Sequence, residues 1–111
     1  MSRSYPDTER AVAFGGISGT FADIGNPLTN NWGKYWIQNQ TDASLQFTWD
    51  GNDNVNLTLA AGESLVVDDS AGVDRNNAEP PLVGIGTQFK VRQTAGAAGS
   101  GSARVNGLFS T

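Results

Sequence analysis

Cysteine and histidine are both absent from this chain of 111 residues. Their absence removes disulfide staples, thiolate nucleophiles, imidazole bases and the commonest ligands of zinc, copper and haem. The fold must be held by packing alone, or with the help of a subunit interface. A chain without cysteine suits a reducing cytosol, and equally a particle that has to survive outside a cell. Basic charge is also thin: seven Lys and Arg stand against eleven Asp and Glu, a formal charge of −4. Lys34, Lys90, Arg92 and Arg104 are scattered over outward positions of predicted strands and form no phosphate-neutralising stripe, so a nucleic-acid partner is not expected. No apolar run approaches the roughly 18 residues of a membrane span, and the opening Met1-Ser2-Arg3-Ser4-Tyr5-Pro6-Asp7 lacks the apolar core of a signal peptide. The expectation is a soluble product with no export address and no membrane partner.

What is present is the grammar of β-structure. Fourteen glycines, with many Asn, Thr and Ser, suit a turn-rich all-β chain. Three central runs alternate apolar and polar residues: Leu45-Gln46-Phe47-Thr48-Trp49, Val55-Asn56-Leu57-Thr58-Leu59 and Ser64-Leu65-Val66-Val67-Asp68. A period of two places Leu45, Phe47 and Trp49 on one sheet face, with Val55, Leu57 and Leu59 on the same core. Asp50-Gly51-Asn52-Asp53-Asn54 and Ala60-Ala61-Gly62-Glu63 are the turns between them. Further strands are expected at Ala11-Val12-Ala13-Phe14, at Ile17-Ser18-Gly19-Thr20-Phe21, over 34–39, over 88–92 with Phe89 and Val91 inward, and over 102–108. Loops are expected over 23–33 and 69–81, the second crossing between sheets without joining a ladder.

About seven to eight short strands at roughly 8–12-residue spacing give a β-sandwich. Two long crossings among short hairpins favour a Greek-key or jelly-roll path over an up-and-down barrel. At this length the chain forms one domain that buries roughly two thirds of its unfolded surface. The expected division is an N-terminal arm over residues 1–10 and a single β-sandwich over 11–111. The arm is polar and aperiodic, and reads as a frayed terminus or as a segment lying across a neighbouring subunit.

The chemistry-bearing residues do not assemble into a motif. The aspartate-rich turn matches a calcium loop only in part, with Val55 where glycine and Ala61 where glutamate would stand; a hairpin turn explains it. Asp68, Asp69, Asp74 and Glu79 lie at a strand end and in a loop, where solvation accounts for them better than paired-carboxylate catalysis. Gly84-Ile85-Gly86 is no phosphate loop, since neither a helix nor a Gly-Lys-Ser/Thr follows. Asn39-Gln40-Thr41 and Asn56-Leu57-Thr58 fit the glycosylation triplet by coincidence. Trp49 is in register with Leu45 and Phe47 and is expected in the core, whereas Trp36 is out of phase with Tyr35 and Ile37. Trp32, in an Asn/Gly loop, is expected to be the exposed aromatic, as an interface anchor or a sugar platform.

The stretches Trp36-Ile37-Gln38-Asn39-Gln40-Thr41-Asp42-Ala43, Leu45-Gln46-Phe47-Thr48-Trp49-Asp50-Gly51 and Leu57-Thr58-Leu59-Ala60-Ala61-Gly62-Glu63-Ser64-Leu65 resemble small virion proteins of tailed bacteriophages. So do Gly86-Thr87-Gln88-Phe89-Lys90-Val91 and Gly101-Ser102-Ala103-Arg104-Val105. That resemblance implies a non-enzymatic structural role, foremost a capsid cement or decoration protein bridging major capsid subunits. It implies residence on the capsid surface after synthesis in the host cytoplasm, as a homo-oligomer (trimer or dimer), with no cofactor. The contact segments expected are residues 1–10, 23–33 and 69–81, with Tyr5, Phe21, Trp32, Pro80 and Pro81 as anchors. Two alternatives stand beside this reading: a neck, tail-adaptor or fibre-base protein, and a carbohydrate-binding module.

Overall fold

Two antiparallel sheets face each other in the computed structural model, which describes residues 4–68, 83–94 and 96–110. The five-stranded sheet holds β1 (Ser4–Pro6), β2 (Arg10–Ala13), β4 (Trp32–Asn39), β7 (Ser64–Asp68) and β9 (Ser102–Ser110). The four-stranded sheet holds β3 (Ala22–Asp23), β5 (Leu45–Thr48), β6 (Leu57–Leu59) and β8 (Lys90–Gln93). Both β1 and β2 pair with β9, so they act as one edge strand broken at residues 7–9. Counted that way, first pairs with last, β3 with β8, β4 with β7 and β5 with β6. The pairs β4–β9 and β5–β8 complete the sheets. This is the wrapping of a jelly roll, and the all-β sandwich expected from the sequence is the fold.

Alternation explains most of the interior. Leu45 and Phe47 on β5, Tyr35 and Ile37 on β4, Val91 on β8, and Ala103 and Val105 on β9 are all buried between the sheets. Burying a large apolar side chain such as Phe47 or Ile37 stabilises the fold by about 1.5–3 kcal/mol. Phe89 is the hub of the aromatic cluster, with ring centroids 5.8 Å from Trp32, 5.9 Å from Tyr35 and 5.3 Å from Trp49. The buried amide of Asn39 ties the connections together. Its Nδ2 is shared among the carbonyl oxygens of Ala43, Leu59 and Ala60 at 2.8, 3.0 and 3.0 Å, while its Oδ1 accepts from Thr41 N and Oγ1. A buried amide so fully bonded fixes the chain paths around it and is spent on the fold.

The structure corrects several expectations. Trp32 is fully buried, at 0% exposure, and belongs to β4 and not to a loop. A register shift between Trp32 and Lys34 supplies the reason: the extra residue turns Trp32 to the same side as Tyr35 despite their odd spacing. Gly107 lies beneath its indole, where a methyl group would overlap the ring. The N-terminal arm is also corrected from Ser4 onward, because β1 and β2 are laddered to β9 of the same chain. Ala11 to Ala13 form part of β2 as expected, but residues 17–21 make no strand; a single 3-10 turn, Phe14–Gly16, precedes them. Val55 lies outside β6 and is 42% exposed, so it does not join Leu59 in the core. Trp49 is half-buried against the core cluster. Pro80 and Pro81, with Asp69, Asp74 and Glu79, lie outside the described residues.

A polar clasp closes the break between β1 and β2. The Arg10 side chain is buried; it donates to the carbonyl oxygens of Thr8 (2.5 Å) and Asn26 (3.3 Å) and stands 3.5 Å from Asp7 Oδ2. Its guanidinium carbon lies 5.4 Å from the Trp32 ring centroid, within cation–π range. Asp7 Oδ2 accepts from Trp32 Nε1 at 2.7 Å and from Asn30 Nδ2 at 3.5 Å. Burial pushes the Asp7 carboxyl up, but the hydrogen bonds from Trp32 and Thr8 and the Arg10 charge outweigh it and hold it below its ordinary value. Gly25, at φ 65°, gives Arg10 room: a Cβ there would stand 2.6 Å from Arg10 Cγ.

Candidate functional site

The outward positions of the five-stranded sheet carry the feature that the core does not use. On β4 the alternation that buries Tyr35 and Ile37 turns Lys34, Trp36 and Gln38 to the other side. Trp36 stands opposite Val66 of β7 and Asn106 of β9. Lys34 stands opposite Leu108, which in turn faces Pro6 of β1. Val66 is 61% exposed although its neighbours Leu65 and Val67 are half-buried against the core. Ala11 and Ala13 of β2 lie along the same outer side. The result places Trp36, Val66, Leu108 and Pro6 on one outer side, interleaved with the polar Lys34, Gln38 and Asn106. Arg104 stands at its rim, with its guanidinium on Glu9 at 2.6 Å and on Ser102 Oγ at 2.9 Å. Strand β7 ends this sheet, and among the described residues no strand lies beyond it. A Trp–Val pair on the outer side of the last described strand of a sheet is apolar surface that the core leaves unused.

The anchors expected from the sequence fall in different places. Tyr5 is 38% exposed on β1, its ring 5.7 Å from that of Phe109. Phe21 is half-buried beneath the Arg92 guanidinium, 4.5 Å away, beside the other sheet. Trp32 lies inside and is not available to a partner in this conformation. Tyr5 therefore belongs to the five-stranded sheet but shares the row of Phe109 and not the outer row of Leu108 and Trp36, while Phe21 does not join that sheet. The sequence shows the phase of Trp36 against Tyr35 and Ile37, but it does not bring Trp36 and Val66 together as a pair. Their juxtaposition depends on the register of β4 against β7, which no local pattern prints.

A second feature is a cleft of about 410 Å3 between the β5–β6 turn and the segment leading into β8. Trp49 and Ile85 supply its apolar lining, and Asp50, Asp53, Gln88 and Lys90 its polar groups. The turn is built by its own side chains. Asp50 Oδ1 accepts from Asn52 N at 2.8 Å, and Asn56 Oδ1 accepts from Trp49 N at 2.8 Å. The Asn52 backbone N–H is the largest influence; together with donation from Asn56, Asn54 and Thr48 it outweighs the opposing desolvation and holds Asp50 down at about 2. Lys90 Nζ reaches Asp53 Oδ1 at 3.4 Å across the cleft mouth. Among the described residues, no group of three or more Asp or Glu side chains is placed to hold a metal ion, and no helix is long and apolar enough to cross a membrane.

No family model, curated protein or solved structure matches this chain.

Proposed function

We propose that this chain is a non-enzymatic structural subunit of a tailed-bacteriophage virion, a cement or decoration protein that docks on the major capsid protein. The observation that carries the reading is the Trp36–Val66 pair on the outer side of β4 and β7. A sandwich that leaves Val66 61% exposed beside a half-buried Trp36 on its outer side has apolar surface suited to a neighbour. Tryptophan is among the residues that concentrate binding energy at the centre of protein interfaces. The resemblance of the strand and turn motifs to small virion proteins supplies the class of neighbour. Several copies, as a trimer or dimer, would present the same patch repeatedly, so each contact can be weak while the assembly holds. The acidic balance of the chain suits a soluble outer surface and disfavours adhesion to packaged nucleic acid.

Imaging intact particles that contain the protein tests this directly. The expected result is density for the sandwich in hundreds of copies on the shell, with the Trp36 face against the capsid. A handful of copies at the neck, tail adaptor or fibre base would replace the cement role with the adaptor role. Absence of the protein from the particle would remove the virion reading altogether.

A further inference from the structure

The geometry points to a second binding site, independent of the docking face: the cleft beside Trp49 takes a neutral carbohydrate. Its volume, about 410 Å3, falls within the roughly 300–1,000 Å3 of small-ligand sites. Sugar rings present an apolar C–H face and an equatorial fringe of hydroxyls, so a site for them needs a rigid aromatic wall with fixed donors and acceptors around it. Trp49 is the aromatic side chain that lines the cleft. Its ring is held by Phe89 at 5.3 Å and by Tyr35, edge-on, at 6.2 Å, and Ile85, 65% exposed, stands in the lining with it. Asp50, Asp53, Gln88 and Lys90 bring acceptors and donors to the same space.

Charge selects among ligands. Two carboxylates, Asp50 and Asp53, and one ammonium, Lys90, line the cleft, which leaves it net negative and repels anionic ligands. A cation finds the acids already engaged. Asp50 Oδ1 is taken by Asn52 N and Thr48 Oγ1, Asp50 Oδ2 by Asn56 Nδ2 at 3.3 Å, and Asp53 Oδ1 by Lys90. A neutral polyhydroxyl compound suits both conditions, since each hydroxyl needs only one remaining carboxylate lone pair where a cation needs several oxygen ligands, and its oxygens can accept from the ammonium. Trp32, the platform the sequence suggests, is inside the core and has no part in this site.

The test is a printed array of neutral and sialylated glycans, followed by calorimetric titration of the neutral glycans that score best and a parallel reading of tryptophan emission. Binding of at least one neutral glycan is expected, with its sialylated counterparts weaker by about tenfold or more. Asp53→Gly removes one carboxylate at a backbone position of φ 57° that glycine accepts. It should lower affinity about tenfold, the size of one charge-assisted hydrogen bond. Trp36→Asp, on the outer side of the other sheet, should bind the same glycan unchanged. The assignment fails if no neutral glycan binds at millimolar concentration, or if sialylated forms bind better. It also fails if folded Asp53→Gly binds like the parent, or if Trp36→Asp abolishes binding. Neither result bears on the capsid reading, because the two surfaces share no residue.

Discussion

The outer sides of the two sheets are built on the same alternation and end in different chemistry. On the four-stranded sheet the outward residues satisfy one another: Arg92 Nε donates to Gln46 Oε1 at 2.8 Å, its guanidinium covers Phe21, and Lys90 pairs with Asp53. On the five-stranded sheet Arg104 likewise pairs with Glu9 and Ser102, but the outer side also carries Trp36, Val66 and Leu108, whose side chains have no polar group for such pairing except the indole N–H. Burial of one face makes a sandwich fold; it places no demand on the opposite face. What occupies that opposite face is therefore free of the demands of the core, and here the two sheets carry different residues on it.

The most severe way to break the contrast is to remove the interior that both sheets share. Trp32→Ala leaves a large void beside Phe89 and deprives Asp7 of a donor, and should cost about 3–5 kcal/mol in urea unfolding. Asp7→Asn comes next. It strips the charge from the clasp over Arg10 and should cost about 2–3 kcal/mol at neutral pH. Because the folded Asp7 carboxyl sits below its ordinary value, its contribution is fully present above the unfolded pKa of about 3.9 and is lost as pH falls through the folded value. Melts between neutral pH and strong acid should therefore show the parent losing stability more steeply than the Asn variant.

On the outer sides the effects separate. Trp36→Asp should weaken attachment to expanded capsids by about 2 kcal/mol or more, read by sedimentation of bound protein, with a change in unfolding free energy under about 1 kcal/mol. Arg92→Ala is the mirror experiment. It should leave attachment unchanged and lower stability by about 0.5–1.5 kcal/mol through the lost Gln46 bond and Phe21 cover. An Arg92→Ala protein that detaches while Trp36→Asp stays bound would reverse the assignment of the two faces.

The strands with clean local alternation are legible in the amino-acid sequence alone. Leu45 with Phe47, Ala103 with Val105, and the inward pair Phe89 and Val91 all lie where period two puts them. Ser64–Asp68 is β7 residue for residue. Local pattern does not supply pairing over long sequence distance. Strand β1 is three residues long and polar in its surroundings, and exists because Leu108 to Ser110 lie alongside it. The bulge at Gly33 hides the phase of Trp32, turning a core tryptophan into an apparent loop residue. The candidate site is half visible: the odd phase of Trp36 is a sequence fact, but its neighbour Val66 and the cleft beside Trp49 arise from register and loop approach.

The position of β9, between the β1/β2 edge and β4, has a consequence for how the chain comes to be folded. The last strand described is a central strand of its sheet, so β1 and β2 have no ladder to join, and β4 lacks one of its two neighbours, until residues 102–110 are available. During synthesis the molecule waits, its future interior uncovered, for the closing segment to thread into the middle. Trimming that segment opens the sheet at its centre, so a shortened product would be expected to meet the cell's proteases before it ever met a partner.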